Sequence, residues 1–402
     1  MRSLEDYYEI VGDMPISNIH KKARKLYGKR ILHINSTCQG GGVAGILASL
    51  IPLMNDIGIE VGWRILHGNP DFFSITKKFH NALQGEQINL SEIKKRLYIQ
   101  ANELFSLYTH INHNCVLIHD PQPLPLIKFY KKKQPWIWRC HIDLSHPDKE
   151  VWDFLKRFIL GYDAAILSNE KYKSKHLSIE QKVIHPAIDP LSAKNKQLSE
   201  SDILKYLKKF KVPTDKPLIV QVSRFDKWKD PLGVIEIFKL VKKEVDCRLV
   251  LCGSMAADDP EGWVIYEKVK KEASQFIANK DVIFITSENS ILVNALQRSS
   301  AVIIQKSIRE GFGLTVTEAL WKEKPVVAAN VGGIPLQIDN GKNGFLLEPL
   351  DTKGFTQRIV QILKNPKLAE KMGKRGKQVV KEKFLITRLL SDYLDLLNAV
   401  ME

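Results

Sequence analysis

The sequence predicts an α/β protein with two domains, each a doubly wound parallel sheet covered by helices on both faces. Short apolar runs that read as strands alternate with helical stretches, which is typical of parallel sheets. This alternation occurs in two successive series, separated by a polar, lysine-rich stretch. The chain of 402 residues also exceeds what one hydrophobic core usually supports, so we expect two domains of roughly 200 residues.

The first series provides the N-terminal domain and follows an amphipathic helix predicted within residues 1–29. Its predicted strands cover residues 30–36, 60–66, 115–119, 136–140 and 164–167. Ligands of such sheets bind outside the carboxyl ends of the strands, so the loops that follow the strands are the candidate positions. These loops contain Gly40 to Gly42, His119 to Gln122 and Arg139 to Asp143.

The second series provides the C-terminal domain. A stretch rich in proline and lysine, residues 186–216, predicts the connection between the domains. The strands predicted after it cover residues 218–223, 247–253, 282–286, 301–304 and 325–328. We expect the N-terminal domain to span 1–195 and the C-terminal domain 196–383, with a C-terminal helix at about 384–402 that packs back on the N-terminal domain.

Charge and cysteine content limit the classes of function. The net charge of +15 favours anionic partners, but the 60 lysines and arginines are spread along the whole chain, so nucleic acid is not the expected partner. Five cysteines with no CxxC pair argue against a disulfide framework and a zinc site. With no signal peptide and no apolar run of about 20 residues, we expect a cytoplasmic protein without stable membrane association.

The glycine loop Gly40–Gly45 satisfies the spacing GxGxxG between a strand and a helix, which would suggest dinucleotide binding. That motif also needs an acidic residue at the end of the next strand. Glu60 stands at the start of that strand, and its end reads Leu66-His67-Gly68-Asn69. A loop that holds a phosphate or a sugar is therefore favoured over nicotinamide binding, and a purely structural turn remains the alternative.

Residues 301–328 predict a strand, turn, helix, strand unit that carries two carboxylates. Glu310 stands on the turn beside Gly311 and Gly313, and Glu318 lies inside the helix. Glycines allow a ligand to approach the backbone, and a helix N-terminus favours an anion. Capping and surface roles would explain Glu310 but not Glu318, which has an apolar background. A carboxylate accepts hydrogen bonds from a vicinal diol, so sugars and phosphates are the expected ligands.

Two cations flank the exit of the first strand in the second series. Arg224 and Lys229 stand five residues apart, next to a helix that begins at Pro231. Together they can neutralise the charge that grows on a departing diphosphate. The alternative is that both are solvated surface charges.

A histidine follows an apolar strand in the N-terminal domain. His141 comes after Trp136–Cys140, and a lone histidine there would more often pack or cap than act chemically. His119 and Asp120 end a neighbouring strand, so the three side chains and the glycine loop predict a polar surface suited to hydroxyl groups.

These features resemble one known family. The spacing of Glu310 and Glu318 is the E-x7-E signature of retaining glycosyltransferases of the GT-B type, sequence family four, and the Arg224–Lys229 loop and the Gly332-Gly333 turn occupy the expected positions. Longer strings are similar to the trehalose glucosyltransferring synthases, which the retaining trehalose phosphorylases resemble. They read ILHINST, GGGVA, HDPQPLPLI, PWIWRCHIDLS, VSRFDKWKDPLGVIE, DDPEGW and SIREGFGLTVTEALWKEKPVV.

The resemblance implies two Rossmann-like domains facing a central cleft. It also implies transfer of glucose, with retention of configuration, from UDP-, ADP- or GDP-glucose to free glucose, which forms α,α-trehalose in a reaction that can be reversible. A retaining trehalose phosphorylase remains an alternative, as does a membrane-surface enzyme acting on lipid or polysaccharide, suggested by Lys128 and Lys131–Lys133. The family needs no metal or cofactor, the substrates are small molecules, and a homodimer is left open.

By position in the family, Arg224 and Lys229 would hold the diphosphate. Glu310 would hold hydroxyls of the donor glucose, and His141 would contact this sugar near its C6 hydroxyl. The further donor positions are Glu318 at the ribose, Leu292 near the nucleobase, and the backbone N–H groups of Gly311, Phe312, Gly313 and Leu314 at the phosphates.

The acceptor side rests on a separate hypothesis. Gly41, Gly42, Asp120 and Gln122 belong to strand ends of the opposite domain, so we expect them to shape the acceptor pocket. No second carboxylate is placed as a nucleophile, which favours substitution on one face of the sugar over two successive inversions.

Overall fold

Two separate parallel sheets organise the chain. The computed structural model describes residues 2–38, 41–253 and 261–401. Unit 1 comprises the chain up to Ala187 together with the part from Ile386 onward, and unit 2 comprises Ile188–Leu385. Each unit contains one sheet of six strands within the described residues, which confirms the predicted doubly wound α/β architecture.

Unit 1 has the strand order β2-β1-β3-β4-β5-β6, and all its strand pairs are parallel. Its strands are β1 (Arg30–Asn35), β2 (Glu60–Ile65), β3 (Cys115–His119), β4 (Trp136–Arg139), β5 (Ala164–Leu167) and β6 (Glu180–Val183). Its helices are α1 (Tyr8–Val11), α2 (Asp13–Ala23), α3 (Gly41–Asp56), α4 (Pro70–Leu83), α5 (Glu92–Leu107), α6 (Lys149–Ile159) and the C-terminal α15 (Ile386–Met401).

The central strands of unit 1 are buried on both faces, which explains their continuous apolar runs. The core includes Val116, Ile118, Trp136 and Trp138. The single N-terminal helix predicted within residues 1–29 is interrupted, because Gly12 adopts φ 78° between α1 and α2.

Unit 2 has the strand order β12-β11-β10-β7-β8-β9, again parallel throughout. Its strands are β7 (Leu218–Val222), β8 (Arg248–Cys252), β9 (Val282–Ile285), β10 (Val302–Gln305), β11 (Val326–Ala329) and β12 (Gly344–Leu347). Its helices are α7 (Glu200–Lys209), α8 (Pro231–Lys242), α9 (Glu261–Glu272), α10 (Ser274–Ala278), α11 (Ser290–Ser299), α12 (Leu314–Trp321), α13 (Thr352–Leu363) and α14 (Pro366–Lys383).

The two units divide the chain between Ala187 and Ile188, whereas the domain boundary predicted from the sequence is residue 195. The segment from Ile188 onward belongs to unit 2, where Asn195 Oδ1 accepts a hydrogen bond of 2.8 Å from Lys322 Nζ. The second crossing falls after Leu385 rather than after residue 383. Ile188 N donates to Phe384 O at 2.9 Å, so the two crossing segments pair with each other inside unit 2. The C-terminal helix α15 belongs to unit 1.

Within the described ranges, every helix is too short or too polar to cross a bilayer.

Candidate active site

Most of the predicted donor residues of unit 2 follow β7 and β10, which are neighbouring strands, whereas Leu292 follows β9. Lys229 Nζ is 2.6 Å from Glu310 Oε2 and forms an ion pair with it. Two bonds hold the loops that carry these side chains. Gln221, inside β7, donates from Nε2 to Lys229 O at 3.0 Å, and Ile308 N donates to Trp228 O at 2.7 Å. The structure therefore brings together one predicted cation and one predicted carboxylate.

Glu310 is buried and its Oε2 atom accepts from three side chains. Besides Lys229, the donors are Gln305 Nε2 at 3.3 Å and Ser307 Oγ at 3.2 Å. Gln305 is fixed in turn, because Thr315 Oγ1 donates to its Oε1 at 3.2 Å. The sequence reasoning missed Gln305 and Ser307; the signal for them was a pair of polar residues at the end of an apolar strand.

A second ion pair, also missed, lies beside the first. Lys306 Nζ contacts Asp230 Oδ2, and the Lys306 side chain is almost fully buried. Asp230 adopts φ 44° and caps α8 by accepting from Gly233 N at 3.0 Å. A Cβ atom at Gly233 would lie 2.4 Å from Asp230 Oδ2 and 2.5 Å from Lys306 Nζ. This glycine therefore makes room for the pair.

Arg224 lies on the same loop as Lys229, with its side chain 35% exposed. Its Nη2 is 3.7 Å from Asp226 Oδ2. Asp226 is buried, and its Oδ1 also accepts from Trp228 N at 2.8 Å. The loop passes close to the end of β8, where a Cβ atom on Gly253 would lie 1.9 Å from Ser223 O. Asp226 thus holds the Arg224 side chain, and the close packing against Gly253 holds the loop that carries it.

The predicted phosphate turn leads into α12. Gly313 adopts φ 85° and offers no side chain to cap the helix. Gln337 braces the turn, since its Nε2 donates to Phe312 O at 2.6 Å and its Oε1 accepts from Thr317 Oγ1 at 2.6 Å. A Cβ atom at Gly333 would lie 2.8 Å from Phe312 Cα, so the Gly332-Gly333 turn packs directly against the predicted phosphate turn.

Glu318 is a buried carboxylate inside α12. Its Oε1 is 3.6 Å from Lys194 Nζ, while its Oε2 is buried and has no hydrogen-bond partner among the described residues. An unsatisfied buried acceptor is costly, and a hydroxyl group would satisfy it.

Lys322, one turn further along, is a buried cation that the sequence reasoning missed. Its Nζ donates to Asn195 Oδ1 at 2.8 Å, Gln297 Oε1 at 2.8 Å and Glu318 O at 3.1 Å. Burial lowers the pKa of Lys322 to about 7.

Leu292 differs from the other predicted donor residues, because its side chain is fully buried in α11. Its backbone N donates to the capping Asn289 Oδ1 at 2.9 Å. The contact with a nucleobase stays a prediction.

The predicted residues of unit 1 follow β1, β3 and β4, which are adjacent in the sheet. Gly41 and Gly42 begin α3, and Gly41 adopts φ 72° with open space around the position of a Cβ atom. Gly40 and residues 258–260 of the DDPEGW string lie outside the described residues. Gln122 O accepts from Asn102 Nδ2 at 3.1 Å, and Gln122 Oε1 has no hydrogen-bond partner among the described residues.

Asp120 and His141 are in direct contact. Asp120 adopts φ 60°, and its Oδ1 accepts from His141 N at 2.7 Å. Its backbone joins the loop to β4, because Asp120 N donates to Arg139 O at 2.8 Å and Trp138 Nε1 donates to Asp120 O at 3.1 Å. Burial raises the pKa of Asp120 to about 7. Asp120 thus sets the backbone position of His141.

The ring of His141 is also held from within the unit. His119 Nδ1 is 3.1 Å from His141 Nε2, and His119 Nε2 is 2.9 Å from His33 Nδ1. The sequence reasoning selected His119 and His141 but missed His33, which it treated as part of a strand.

Comparison with known proteins gives the family. Residues 33–174 match the family described as trehalose synthase, N-terminal domain, and residues 202–379 match glycosyl transferases group 1. Over 402 residues the chain is 49% identical to a trehalose synthase of Thermococcus litoralis, covering 99% of this chain and 97% of the relative. A trehalose phosphorylase of Pleurotus pulmonarius is more distant, at 30% identity over 92% of this chain and 57% of the relative.

Solved structures show the same fold. An α,α-trehalose-phosphate synthase (UDP-forming) from Burkholderia vietnamiensis superposes with a TM-score of 0.74, covering 93% of this chain and 99% of that chain at 14% identity. The matches to both family descriptions and the full-length similarity agree. The chain therefore belongs to the trehalose synthase family of GT-B glycosyltransferases, and it is a glycosyltransferase.

Proposed function

We propose that this enzyme transfers glucose, with retention of configuration, from a nucleoside diphosphate glucose to free glucose and so forms α,α-trehalose. The observation that carries the proposal is the buried Lys229–Glu310 pair at the carboxyl edge of the unit 2 sheet, with Arg224 on the same loop. The pair places Lys229, a cation that can bind a phosphate, next to Glu310, a carboxylate that can accept from a sugar hydroxyl. The 49% identity to a trehalose synthase over nearly the whole chain supports the choice of sugars.

The donor would be bound from several elements of unit 2. Arg224 and Lys229 would contact the diphosphate, together with the backbone N–H groups at the start of α12, where the helix dipole favours an anion. Glu318 would accept from the ribose hydroxyls, because its Oε2 is buried and has no hydrogen-bond partner among the described residues. Leu292 would lie near the base, and UDP-, ADP- and GDP-glucose are the donors to compare.

The reaction would break the bond between C1 of glucose and the β-phosphate oxygen, which keeps the electron pair. The acceptor hydroxyl would attack C1 on the face from which the phosphate leaves, and its proton would pass to a phosphate oxygen. Arg224 and Lys229 would stabilise the charge on the leaving diphosphate.

Glu310 is a poor candidate for the nucleophile of a double inversion. Its Oε2 accepts from Lys229, Gln305 and Ser307, and these bonds withdraw charge from the carboxylate. We assign it to the hydroxyls of the donor glucose, which it would hold while charge develops at C1. Charge stabilisation by side chains also explains how transfer would proceed with no metal or cofactor beyond the nucleotide sugar.

The acceptor glucose would bind at the strand ends of unit 1. At the start of α3, Gly41 leaves open space around its Cβ position, and Gly42 follows it. The amide of Gln122 has a buried oxygen that a hydroxyl can satisfy. Asp120 would act by holding His141, whose ring would contact the donor sugar.

The proposal includes a cytoplasmic location, because the buried thiols of Cys115, Cys140, Cys247 and Cys252 suit a reducing compartment.

The proposal is tested by supplying UDP-, ADP- and GDP-glucose separately with free glucose. The expected product is a non-reducing disaccharide with the proton and carbon NMR signals of α,α-trehalose, released together with the matching nucleoside diphosphate. Hydrolysis of the donor without a disaccharide would count against the proposal, as would a β-linked product.

A trehalose phosphorylase is the second candidate, because a relative with that name matches 92% of this chain. The same preparation, given trehalose and inorganic phosphate without nucleotide, should produce no glucose 1-phosphate under the leading proposal. Phosphate-dependent cleavage without nucleotide would favour the second candidate instead. Release of glucose and nucleotide sugar from trehalose and a nucleoside diphosphate would show that the proposed reaction also runs backwards.

A further inference from the structure

Three histidine rings form a hydrogen-bonded column in unit 1. His33 lies in β1, His119 ends β3, and His141 follows β4. Across the sheet His33 pairs with Leu117, which is two residues before His119. In the same way His119 pairs with Arg139, which is two residues before His141. Side chains two residues apart point to the same face of a sheet. The column therefore steps along one face towards the carboxyl edge.

The rings are joined nitrogen to nitrogen. His33 Nδ1 is 2.9 Å from His119 Nε2, and His119 Nδ1 is 3.1 Å from His141 Nε2. Consecutive ring planes differ by 24° and 17°. His33 and His119 are buried, whereas His141 is partly exposed. The column thus has an inner end at His33 and an outer end at His141.

All three rings are neutral at ordinary pH. Burial lowers the pKa of His33 to about 3 and the pKa values of His119 and His141 well below their usual range. The neighbouring Arg139 lowers the pKa values of His119 and His141 further. A neutral histidine has one N–H group, so each link must join one N–H to one bare nitrogen.

Two patterns satisfy both links. In the first, every ring carries its proton on Nδ1, which leaves His33 Nε2 bare at the inner end and His141 Nδ1–H at the outer end. In the second, every proton is on Nε2, which leaves an N–H at the inner end of the column.

The surroundings of His33 Nε2, at the inner end of the column, distinguish between these two proton patterns. His33 Nε2 is buried and has no hydrogen-bond partner in the described part of the chain. The ring of Tyr393 on α15 is 6.3 Å away and tilted by only 35°, so it does not turn its face towards an N–H at that position. A buried N–H without a partner is rarer than a buried acceptor that lacks one, which favours the first pattern.

We propose that His33 and His119 are positioning residues that lock His141 in the Nδ1–H tautomer, so that His141 offers the sugar a hydrogen-bond donor and cannot act as a base. The assignment to the sugar rests on the proposed function, whereas the tautomer does not. A free neutral imidazole side chain favours the proton on Nε2, so the column would impose the less common form on three residues at once.

Nitrogen-15 NMR of the histidine side chains tests the tautomer without substrate. The full-length enzyme labelled at histidine should show a protonated Nδ1 and a bare Nε2 for His33, His119 and His141, with the signals assigned by single histidine substitutions. A protonated Nε2 on any of the three would overturn the assignment. Because no turnover is measured, this result is independent of whether the enzyme forms trehalose.

A matched pair of variants tests the positioning role. Asparagine and leucine have the same branched shape, but only asparagine can donate to His141 Nε2 from the place of the ring Nδ1. We expect His119→Asn to keep the His141 Nδ1–H signal and to retain kcat/KM for the donor within about threefold, and His119→Leu to give mixed tautomers and to lower kcat/KM about tenfold. The same His141 signals and the same kinetics in both variants would show that His119 only fills space. Failure of both to fold would leave the wild-type spectrum as the deciding measurement.

Discussion

Lys229 Nζ lies 2.6 Å from Glu310 Oε2, although 81 residues separate the two in sequence. The contact exists because β7 and β10 are adjacent and parallel, so that their exit loops meet at one edge of the sheet. In the proposed reaction Lys229 would stand between two negative groups, the carboxylate that holds the sugar and the diphosphate that leaves it. This pair is therefore the first target for mutation.

Removal of Lys229 should abolish most of the activity. Lys229→Ala deletes the proposed cation for the diphosphate and leaves Glu310 with one strong donor fewer, so we expect kcat/KM to fall about a hundredfold or more. Lys227→Ala is the matched control, because Lys227 lies on the same turn with its Nζ 5.2 Å from the Trp228 ring centroid and is not assigned to the site. Circular dichroism should show both variants folded. Turnover near normal in Lys229→Ala would mean that the donor site lies elsewhere.

Neutralising Glu310 should separate binding from chemistry. Glu310→Gln keeps the shape of the side chain but not the charge, so Lys229 would be released towards the diphosphate. We expect donor affinity, measured by calorimetry, to stay the same or to rise, while kcat falls about a hundredfold. A loss of affinity with unchanged kcat would contradict the proposed role, since it would make Glu310 a binding group only.

Glu318 should recognise the ribose of the donor. We expect Glu318→Ala to weaken binding of the preferred nucleotide sugar about tenfold. A donor that lacks the ribose 2′-hydroxyl should bind the wild type more weakly than the complete donor does. Its affinities for the wild type and for Glu318→Ala should differ less than those of the complete donor. Glu370→Ala is the control, because Glu370 pairs with Lys374 at the surface. Equal sensitivity of the wild type and Glu318→Ala to the missing hydroxyl would place the ribose elsewhere.

Asp120 should make stability depend on pH. Burial raises its pKa from 3.8 to about 7 in the folded protein, so between these values the folded state binds more protons than the unfolded state. Stability should therefore fall as pH rises from about 4 to about 7 through this group. Asp120→Asn keeps an oxygen for His141 N and should flatten that part of the profile, as measured by urea unfolding across the pH range. An unchanged slope would show that Asp120 does not titrate there.

Gly333 should tolerate no side chain. Gly333→Ala would bring a Cβ atom within 2.8 Å of Phe312 Cα, so the phosphate turn must shift. We expect the KM for the donor to rise about tenfold, because misplacement of a site by a fraction of an ångström is costly. Gly62→Ala in β2 is the control, since the nearest atom to its Cβ position, Leu32 Cδ1, lies at 3.4 Å, an ordinary van der Waals distance. An unchanged KM in Gly333→Ala would separate this turn from donor binding.

The sequence by itself determined the class of fold and most of the candidate residues. Alternating apolar runs predict parallel sheets, and the spacing of Glu310 and Glu318 with the Arg224–Lys229 loop identifies the family, because these signals are local and periodic. Long-range packing is what the sequence leaves out. The sequence predicted a domain boundary at residue 195, whereas the connecting segment from Ile188 onward belongs to unit 2, where Lys322 donates a hydrogen bond to Asn195.

The tertiary structure alone decided which polar side chains support the site. Gln305 and Ser307 donate to Glu310, and His33 ends the histidine column, yet each reads in the sequence as part of a strand or its exit. Their roles depend on which strands are neighbours and on pairing register, which set distances between residues far apart in the chain. A local pattern carries no information about such distances, so only the folded sheet shows which side chain each polar atom meets.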